Sequence, residues 1–196
     1  MNNNTPKLPV AVTLQLPDWF DPRVQQWAFE PGNADSAMRL AIGLSQQNVD
    51  HRTGGPFAAL VVALEAGRVI SAAVNRVEAQ SCSSAHAEMM ALSLAQQHMD
   101  HWNLDETPDA PLTLITSAEP CAMCLGAIPW SGVKRVVCGA TKADVEAAGF
   151  DEGARSGDWI EDLAQRGIDV EVGCLQAQAA AVLMAYAQSD QTIYNP

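Results

Sequence analysis

The chain has 196 residues, of which 48% are hydrophobic, and its 23 acidic and 11 basic side chains give a formal net charge of −12. This length suits one globular domain with a sizeable core and is short for two. The negative charge disfavours a tRNA or DNA substrate, because affinity for phosphates comes from clustered Lys and Arg side chains, and it favours a small neutral substrate instead.

The apolar runs and the first residues predict where the protein resides. The longest apolar runs, such as Phe57 to Leu64, have the length of a strand and not of a membrane span. Met1 to Asn4 carry neither the basic nor the apolar region of a signal peptide. We therefore predict a cytoplasmic protein with no membrane partner. In that reducing compartment, two of the five cysteines suit a metal better than a disulfide.

The N-terminal residues differ in composition from the rest of the chain. Repeated prolines prevent a long helix before residue 31, and alternating apolar residues from Val10 to Leu16 predict one short extended segment laid on the body. We predict that residues 1–30 form an N-terminal extension. Residues 31–196 are predicted to form a single domain that ends in a helix and a tail.

From residue 34 onward, predicted helices and strands alternate. The helices are predicted at 34–49, 86–99, 121–131, 142–148, 158–165 and 176–188, and the strands at 57–65, 68–75, 112–116, 135–140 and 169–174. The first two strands form a hairpin. This order predicts an α/β fold of three α/β/α layers, in which a mixed five-stranded sheet has helices on both faces. In such sheets the site lies at the carboxyl ends of strands, where the following helices begin.

Two short motifs carry metal-binding chemistry, His86-Ala87-Glu88 and Pro120-Cys121-Ala122-Met123-Cys124. The C-x-x-C alone also fits a redox pair or half of a structural zinc site. Together the motifs supply one imidazole, two thiols and a spare carboxylate, which with an open fourth position is the usual composition of a catalytic zinc site. His86 and Glu88 are two residues apart and converge only over a helix end. We therefore expect two helices with their N-termini directed at the zinc, and Pro120 at the first helical position of one of them.

These motifs resemble those of the cytidine deaminase-like superfamily of zinc nucleobase deaminases, and within it the chain is similar to the bacterial guanine deaminases. The likeness runs from about Gly54 to the C-terminus. It includes Gly54–Phe57, Asn75-Arg76, His86–Glu88, Thr116–Cys124, Trp130 and Glu146–Glu152. The metal motifs are common to the superfamily, whereas Phe150-Asp151-Glu152 resembles the guanine deaminase segment that bears a second active-site carboxylate.

The resemblance implies a Zn2+ ion held by His86, Cys121 and Cys124, and hydrolytic deamination of guanine to xanthine and ammonia. It implies catalytic roles for Glu88, as proton carrier, and for Glu152. The residues expected to bind substrate are Asn75, Phe57, Trp130, Ala87 and Tyr194. The resemblance further implies a homodimer in which the C-terminal segment bearing Tyr194 crosses to the partner subunit and closes its site.

Other interpretations remain open at the level of sequence. The motifs also fit a deaminase of another small aminated ring, such as cytosine or an amino-triazine, a tRNA adenosine deaminase, or an inactive scaffold that retains zinc. The competing interpretations are a solvated acid for Glu152, a turn residue for Asn75, and core aromatics for Phe57 and Trp130. We assign Glu119, which precedes the cysteine motif, a structural role.

Overall fold

One mixed five-stranded sheet organises the chain, for which a computed structural model describes residues 9–20 and 27–195. The strands are β1 (Ala58–Ala63), β2 (Arg68–Val74), β3 (Thr113–Ala118), β4 (Arg135–Ala140) and β5 (Asp169–Glu171), in the spatial order β2-β1-β3-β4-β5. Strand β1 runs antiparallel to both β2 and β3, whereas β3, β4 and β5 are parallel. The predicted hairpin is confirmed, and Gly67 closes it with a φ of 63° that favours glycine.

The helices are α1 (Ala34–Asp50), α2 (Val77–Gln80), α3 (Ala87–His98), α4 (Ala122–Ser131), α5 (Lys142–Ala147), α6 (Trp159–Ala164) and α7 (Gln176–Ala187), and short 3-10 turns span Leu64–Ala66 and Leu104–Glu106. Successive strand side chains point to opposite faces of the sheet. In β1, Ala59 and Val61 pack with residues of α3, α4 and α6, while Leu60 and Val62 pack with residues of α1. The three-layer α/β/α prediction is therefore confirmed.

The predicted element boundaries agree with the structure to within three residues, and two of the differences have a clear cause. Pro120 is not the first helical residue, because Cys121 after it is still extended, with φ −66° and ψ 172°, and α4 begins at Ala122. Strand β5 ends at Glu171 and not at Cys174, since the chain turns at Gly173 with a φ of 77°. The helix α2 has no counterpart in the prediction.

The residues before α1 contact the body of the protein where the structure describes them. Phe20 and Phe29 are buried in the core, and Ala28 forms an isolated bridge with Arg68 of β2. Leu14 and Leu16 pack against the core, whereas Val10 and Val12 are exposed and the segment forms no strand. The rest of the predicted extension, residues 1–8 and 21–26, lies outside the described residues.

Within residues 9–20 and 27–195, none of the helices combines the length and the apolar character needed to cross a bilayer.

Candidate active site

The sheet topology brings four chain segments to one edge of the sheet. Because β1 is antiparallel to β2 and β3, the start of β1 lies beside the ends of both neighbours. Phe57 precedes β1 and Asn75 follows β2, and the Asn75 N–H donates to the Phe57 carbonyl at 2.9 Å. Glu119 follows β3, and its N–H donates to the carbonyl of Ala140 at the end of β4 at 2.8 Å. A cavity of about 490 Å3 opens at this edge.

The predicted metal ligands converge at this cavity. His86 is the N-cap of α3 and Cys121 is the N-cap of α4, so both helix N-termini are directed at the same point, as predicted. The Nδ1 atom of His86 lies 3.5 Å from Cys121 Sγ and 3.6 Å from Cys124 Sγ. Tetrahedral ligands with zinc bonds of about 2.0–2.3 Å are separated by about 3.5–3.8 Å. The donor types and their spacing therefore fit Zn2+.

The two cysteines also have the electrostatics of metal ligands. A hydrogen bond from Cys124 and another from His86 lower the pKa of Cys121 to about 4, against the opposing effect of burial. The shared hydrogen bond with Cys121, together with burial, raises the pKa of Cys124. The shifts favour Cys121 as a thiolate that accepts a hydrogen bond from the Cys124 thiol, and a bound metal cation would take the place of that thiol proton.

Glu88 lies beside the donor set without belonging to it. His86, Cys121 and Cys124 alone form the metal-competent cluster found among the described residues, with their donor atoms all within 4.8 Å of one another. Glu88 Oε1 accepts a 3.3 Å hydrogen bond from Thr116, and Oε2 lies 3.5 Å from Cys124 Sγ. Burial, and then the charge of Cys121, raises the pKa of Glu88. A buried carboxyl with a raised pKa next to a metal position is suited to carrying protons.

Glu152 faces the cavity from the loop between α5 and α6. It is 5% exposed, and its Oε2 atom has no hydrogen-bond partner among the described residues. Burial, followed by the negative charges of Cys121 and Glu88, raises the pKa of Glu152 to about 8. Buried carboxylates are almost always hydrogen-bonded, so an unpaired oxygen here points to a ligand that supplies the donor.

Aromatic side chains and the C-terminal tail close the cavity. Phe57 contacts Phe150 edge to face at a centroid distance of 5.0 Å, and Tyr194 lies 5.4 Å from Phe150. Tyr194 also accepts a 2.6 Å hydrogen bond from Asn75. The predicted residues Phe57, Asn75 and Tyr194 are therefore brought together, and Tyr194 covers the cavity of its own chain.

Two of the predicted substrate-binding residues lie outside the cavity. Trp130 is 80% exposed in the last turn of α4, eight residues after Ala122, and a rise of about 1.5 Å per residue places it about 12 Å along the helix from its N-terminus. The metal cluster lies at that N-terminus, so Trp130 does not line the cavity of its own chain. The Ala87 side chain is fully buried in the core, and only its backbone N–H is free of an intrahelical partner at the start of α3.

Sequence reasoning missed two residues that shape the site. Asn195 accepts from the Asp151 N–H at 2.9 Å and donates to the Gly149 carbonyl at 2.8 Å, so the tail holds the loop that bears Glu152. Arg155 forms a buried ion pair with Glu119 at 2.6 Å, which agrees with the structural role predicted for Glu119. A polar residue in a tail and an arginine in a loop give no sequence signal of these contacts.

The sequence of the chain is similar to those of known zinc-binding deaminases. The family model of the cytidine and deoxycytidylate deaminase zinc-binding region matches residues 32–140. A guanine deaminase from Bacillus subtilis is 36% identical over 120 residues, which cover 61% of this chain and 72% of that protein.

Solved structures extend this similarity to most of the chain. The structure of a guanine deaminase from Nitrosomonas europaea is 39% identical with a TM-score of 0.86, and the match covers 93% of this chain and 100% of that one. Another solved structure, a mutant in complex with 8-azaguanine, is 40% identical with a TM-score of 0.86, and covers 92% of this chain and 98% of that one. A coverage of 93% cannot leave all of residues 1–30 out, so the structural likeness reaches into the N-terminal residues.

Proposed function

Because the chain belongs to the cytidine and deoxycytidylate deaminase family, we propose that it hydrolyses guanine to xanthine and ammonia. The observation that carries this proposal is the unpaired, buried carboxylate of Glu152, which faces the metal cluster across one cavity. Guanine presents two adjacent N–H donors, N1–H and the 2-amino group, beside the carbon that loses its amine. Adenine lacks the N1–H donor, so it offers a buried carboxylate one partner fewer.

The metal in this proposal is Zn2+, held by Nδ1 of His86 and by the sulfurs of Cys121 and Cys124. A zinc ion in that position would supply Lewis-acid activation of a water molecule, by lowering its pKa toward about 7.

Glu88 is the proposed proton carrier. It takes a proton from the attacking water and gives a proton to a ring nitrogen, which makes the carbon that bears the amino group more electrophilic. The water oxygen then adds to that carbon and forms the C–O bond. Glu88 takes the second proton from the hydroxyl group so formed and delivers it to the amine, so that the C–N bond breaks, a carbonyl forms and ammonia leaves. The contacts with Thr116 and Cys124 hold its carboxylate in place for both transfers.

The remaining cavity residues are proposed to orient the purine. Glu152 accepts from the donor edge and assists the departure of ammonia. Asn75 presents an amide that donates and accepts, and its Oδ1 is fixed by the Val77 N–H at 3.2 Å. Phe57 and Tyr194 offer aromatic surface to the ring faces. The backbone N–H of Ala87 is proposed as a further hydrogen-bond donor to the purine. Trp130 lies outside the cavity of its own chain, so no contact with the purine is proposed for it there.

An ammonia-release assay on the zinc-loaded protein tests this function. Guanine, guanosine, cytosine, adenine and an amino-triazine are compared at equal concentrations, and we expect guanine to have the highest kcat/KM. A clear preference for cytosine or the amino-triazine would replace guanine with that substrate. No turnover of any of them would favour the inactive scaffold.

We further propose that the protein forms a homodimer through α4. Its residues Met123, Gly126, Ala127 and Trp130 are spaced as one stripe of a helix, and all are at least partly exposed. A Cβ added at Gly126 would meet no atom within 4 Å, so a second helix has room to approach. Exposed apolar stripes of this kind mark interfaces. Sedimentation of Trp130→Glu should show monomer where the wild type shows dimer.

Exchange of the C-terminal segment is a separate proposal. Helix α7 ends at Ala187, and the tail follows it. If the tail crossed to a partner subunit, it would make there the same contacts that it makes here within its own chain. Mixing refolded Glu88→Ala and Tyr194→Ala subunits tests it. With exchange, one hybrid site has Glu88 and receives an intact Tyr194, so activity returns. Without exchange, every hybrid site lacks one of the two.

We also propose a domain organisation and a cellular location for the chain. Residues 1–30 are proposed as an N-terminal extension and residues 31–196 as the single deaminase domain. The cytoplasm is the proposed location, because all five cysteines are free in the structure and disulfides are rare in that compartment.

A further inference from the structure

The guanidinium of Arg155 is buried in the loop that follows Glu152. Its side chain is 6% exposed, although arginine is among the residues that are rarely buried. One terminal nitrogen donates to Glu119 Oε2 at 2.6 Å and the other to the Pro120 carbonyl at 3.1 Å. The guanidinium carbon lies 4.9 Å from the centre of the Trp159 ring at the start of α6. The side chain is therefore held in one orientation on three sides.

The partners of Arg155 are the two residues that precede a metal ligand. Glu119 and Pro120 lead directly into Cys121. On the other side of that ligand, the Ala122 N–H donates to the backbone carbonyl of Glu152 at 3.0 Å. The loop that bears Glu152 is thus attached to the metal loop at two places that flank Cys121.

The carboxylate of Glu152 depends on this attachment for its position. Its Oε2 atom has no partner among the described residues, so side-chain hydrogen bonds do not locate that oxygen. Its distance from the metal cluster is therefore set by the backbone of its own loop. That loop is hydrogen-bonded to the metal loop at the Glu152 carbonyl and, three residues later, through the Arg155 side chain.

We propose that Arg155 is a positioning residue, which sets the distance between the Glu152 carboxylate and the metal cluster by joining their two loops. The proposal rests on the role proposed above for Glu152. The planar guanidinium of Arg155 donates to a carboxylate and to a carbonyl at the same time, so it fixes both the distance and the relative orientation of the two loops. The ammonium group of a lysine does not fix the orientation. A buried ion pair is in itself weak evidence for a stabilising role. The Arg155–Glu119 pair lies beside the metal cluster, where the placement of reacting groups affects the catalytic rate.

A double-mutant cycle on the zinc-loaded, full-length protein tests the proposal. Arg155→Met and Arg155→Lys are made in the wild-type and in the Glu152→Gln backgrounds. In the wild-type background we expect Arg155→Met to lower kcat about 10- to 100-fold, as a small misplacement of a reacting group does, with zinc content retained. Arg155→Lys keeps the charge and should recover part of this loss. In the Glu152→Gln background, Arg155→Met should change kcat by less than about twofold.

Arg135→Met is the matched control, because Arg135 pairs with Glu171 at the same distance of 2.6 Å between β4 and β5, away from the cavity. It should leave kcat unchanged. Equal losses in both Glu152 backgrounds would overturn the proposal, since Arg155 would then act independently of Glu152. Loss of zinc together with activity would overturn it as well, because the contact would then serve the metal loop.

Hydrogen exchange separates failure of this inference from failure of the proposed function. Backbone amides of residues 149–153 should exchange faster in zinc-loaded Arg155→Met than in the wild type, while those of α1 should not change. This result needs no substrate, so it holds even if the wild type does not deaminate guanine. Unchanged exchange in residues 149–153 would overturn the positioning role.

Discussion

The side-chain amide of Asn75 donates a 2.6 Å hydrogen bond to the hydroxyl of Tyr194, although 119 residues separate them in the chain. Asn75 follows β2 at the sheet edge, and Tyr194 is the third residue from the C-terminus. The tail approaches so closely at this point that a Cβ on Gly55 would lie 2.7 Å from the Tyr194 ring. Closure of the cavity by the tail thus depends on a residue with no side chain at position 55.

Removal of the Tyr194 hydroxyl tests this closure. Tyr194→Phe keeps the ring against Phe150 and His86 and removes the bond to Asn75. A neutral hydrogen bond contributes about 0.5–1.5 kcal/mol, so we expect kcat/KM for guanine to fall about 2- to 12-fold, mainly through KM. Steady-state kinetics measures it, with zinc content as the control. A wild-type kcat/KM would mean that the ring alone closes the site.

Removal of a metal ligand should remove the zinc. We expect about one zinc per wild-type chain, and substantially less in Cys121→Ala, Cys124→Ala or His86→Ala, because three protein ligands hold the ion. Metal analysis of purified protein measures it. Cys82→Ser is the matched control, since it removes a thiol that lies outside the cluster and should leave zinc content unchanged. Full occupancy in all three ligand variants would contradict the assignment.

Replacement of Glu88 should have a different effect from replacement of a metal ligand, because the zinc should stay bound. Glu88→Gln keeps the size of the side chain and removes its ability to carry a proton, so zinc should remain while kcat falls by about 10²- to 10⁴-fold. Glu78→Gln changes an exposed acid on α2 and serves as the control. If Glu88→Gln loses its zinc or keeps most of its activity, the proton-carrier role is wrong.

Residue type and local spacing were sufficient to predict most elements and the metal cluster. Both ligand motifs lie at strand-to-helix transitions, where chain order alone indicates their position at the sheet edge. The contacts of Arg155 and Asn195 could not be predicted, because their partners lie 36 and 46 residues away and are selected by the tertiary fold. Trp130 was placed in the site by resemblance, but its position near the end of α4 leaves it outside the cavity of its own chain.

The raised pKa of Glu152 predicts a pH dependence of stability in the zinc-free protein. Its carboxyl has a pKa of about 8 in the folded chain, mainly because of burial, against an ordinary value of 4.5. As the pH rises between these values, the unfolded state loses the proton first. The stability that the neutral carboxyl contributes is therefore fully present below pH 4.5 and is lost as the pH rises through about 8.

Comparison with Glu152→Gln isolates this effect, because the amide does not titrate. In chelator-treated protein, the Tm of the wild type minus that of the variant should decrease steadily from about pH 5 to about pH 8 and then level off. Thermal unfolding monitored by circular dichroism measures both. A difference that does not change with pH would mean that Glu152 has an ordinary pKa and is solvated.

The choice of guanine as substrate depends most directly on Glu152. Glu152→Gln replaces a carboxylate acceptor by an amide, which must turn its single carbonyl toward the guanine N–H groups and leaves its NH2 poorly placed. A lost hydrogen bond to a charged group is worth about 1.5–3 kcal/mol, so kcat/KM should fall by roughly one to two decades. If Glu152 also relays a proton to the departing amine, Glu152→Ala should be at least as damaging as Glu152→Gln. Zinc should be retained in both variants, because Glu152 is not among the ligands.

Steady-state guanine turnover by the zinc-loaded wild type and the two Glu152 variants measures this loss. Glu161→Gln, an exposed acid on α6, controls for the general effect of removing a negative charge from a chain of net charge −12. Wild-type kcat/KM in both Glu152 variants would return Glu152 to the interpretation as a solvated acid. The zinc cluster and Glu88 are common to the whole superfamily, so that result would leave deaminase chemistry supported without the preference for guanine.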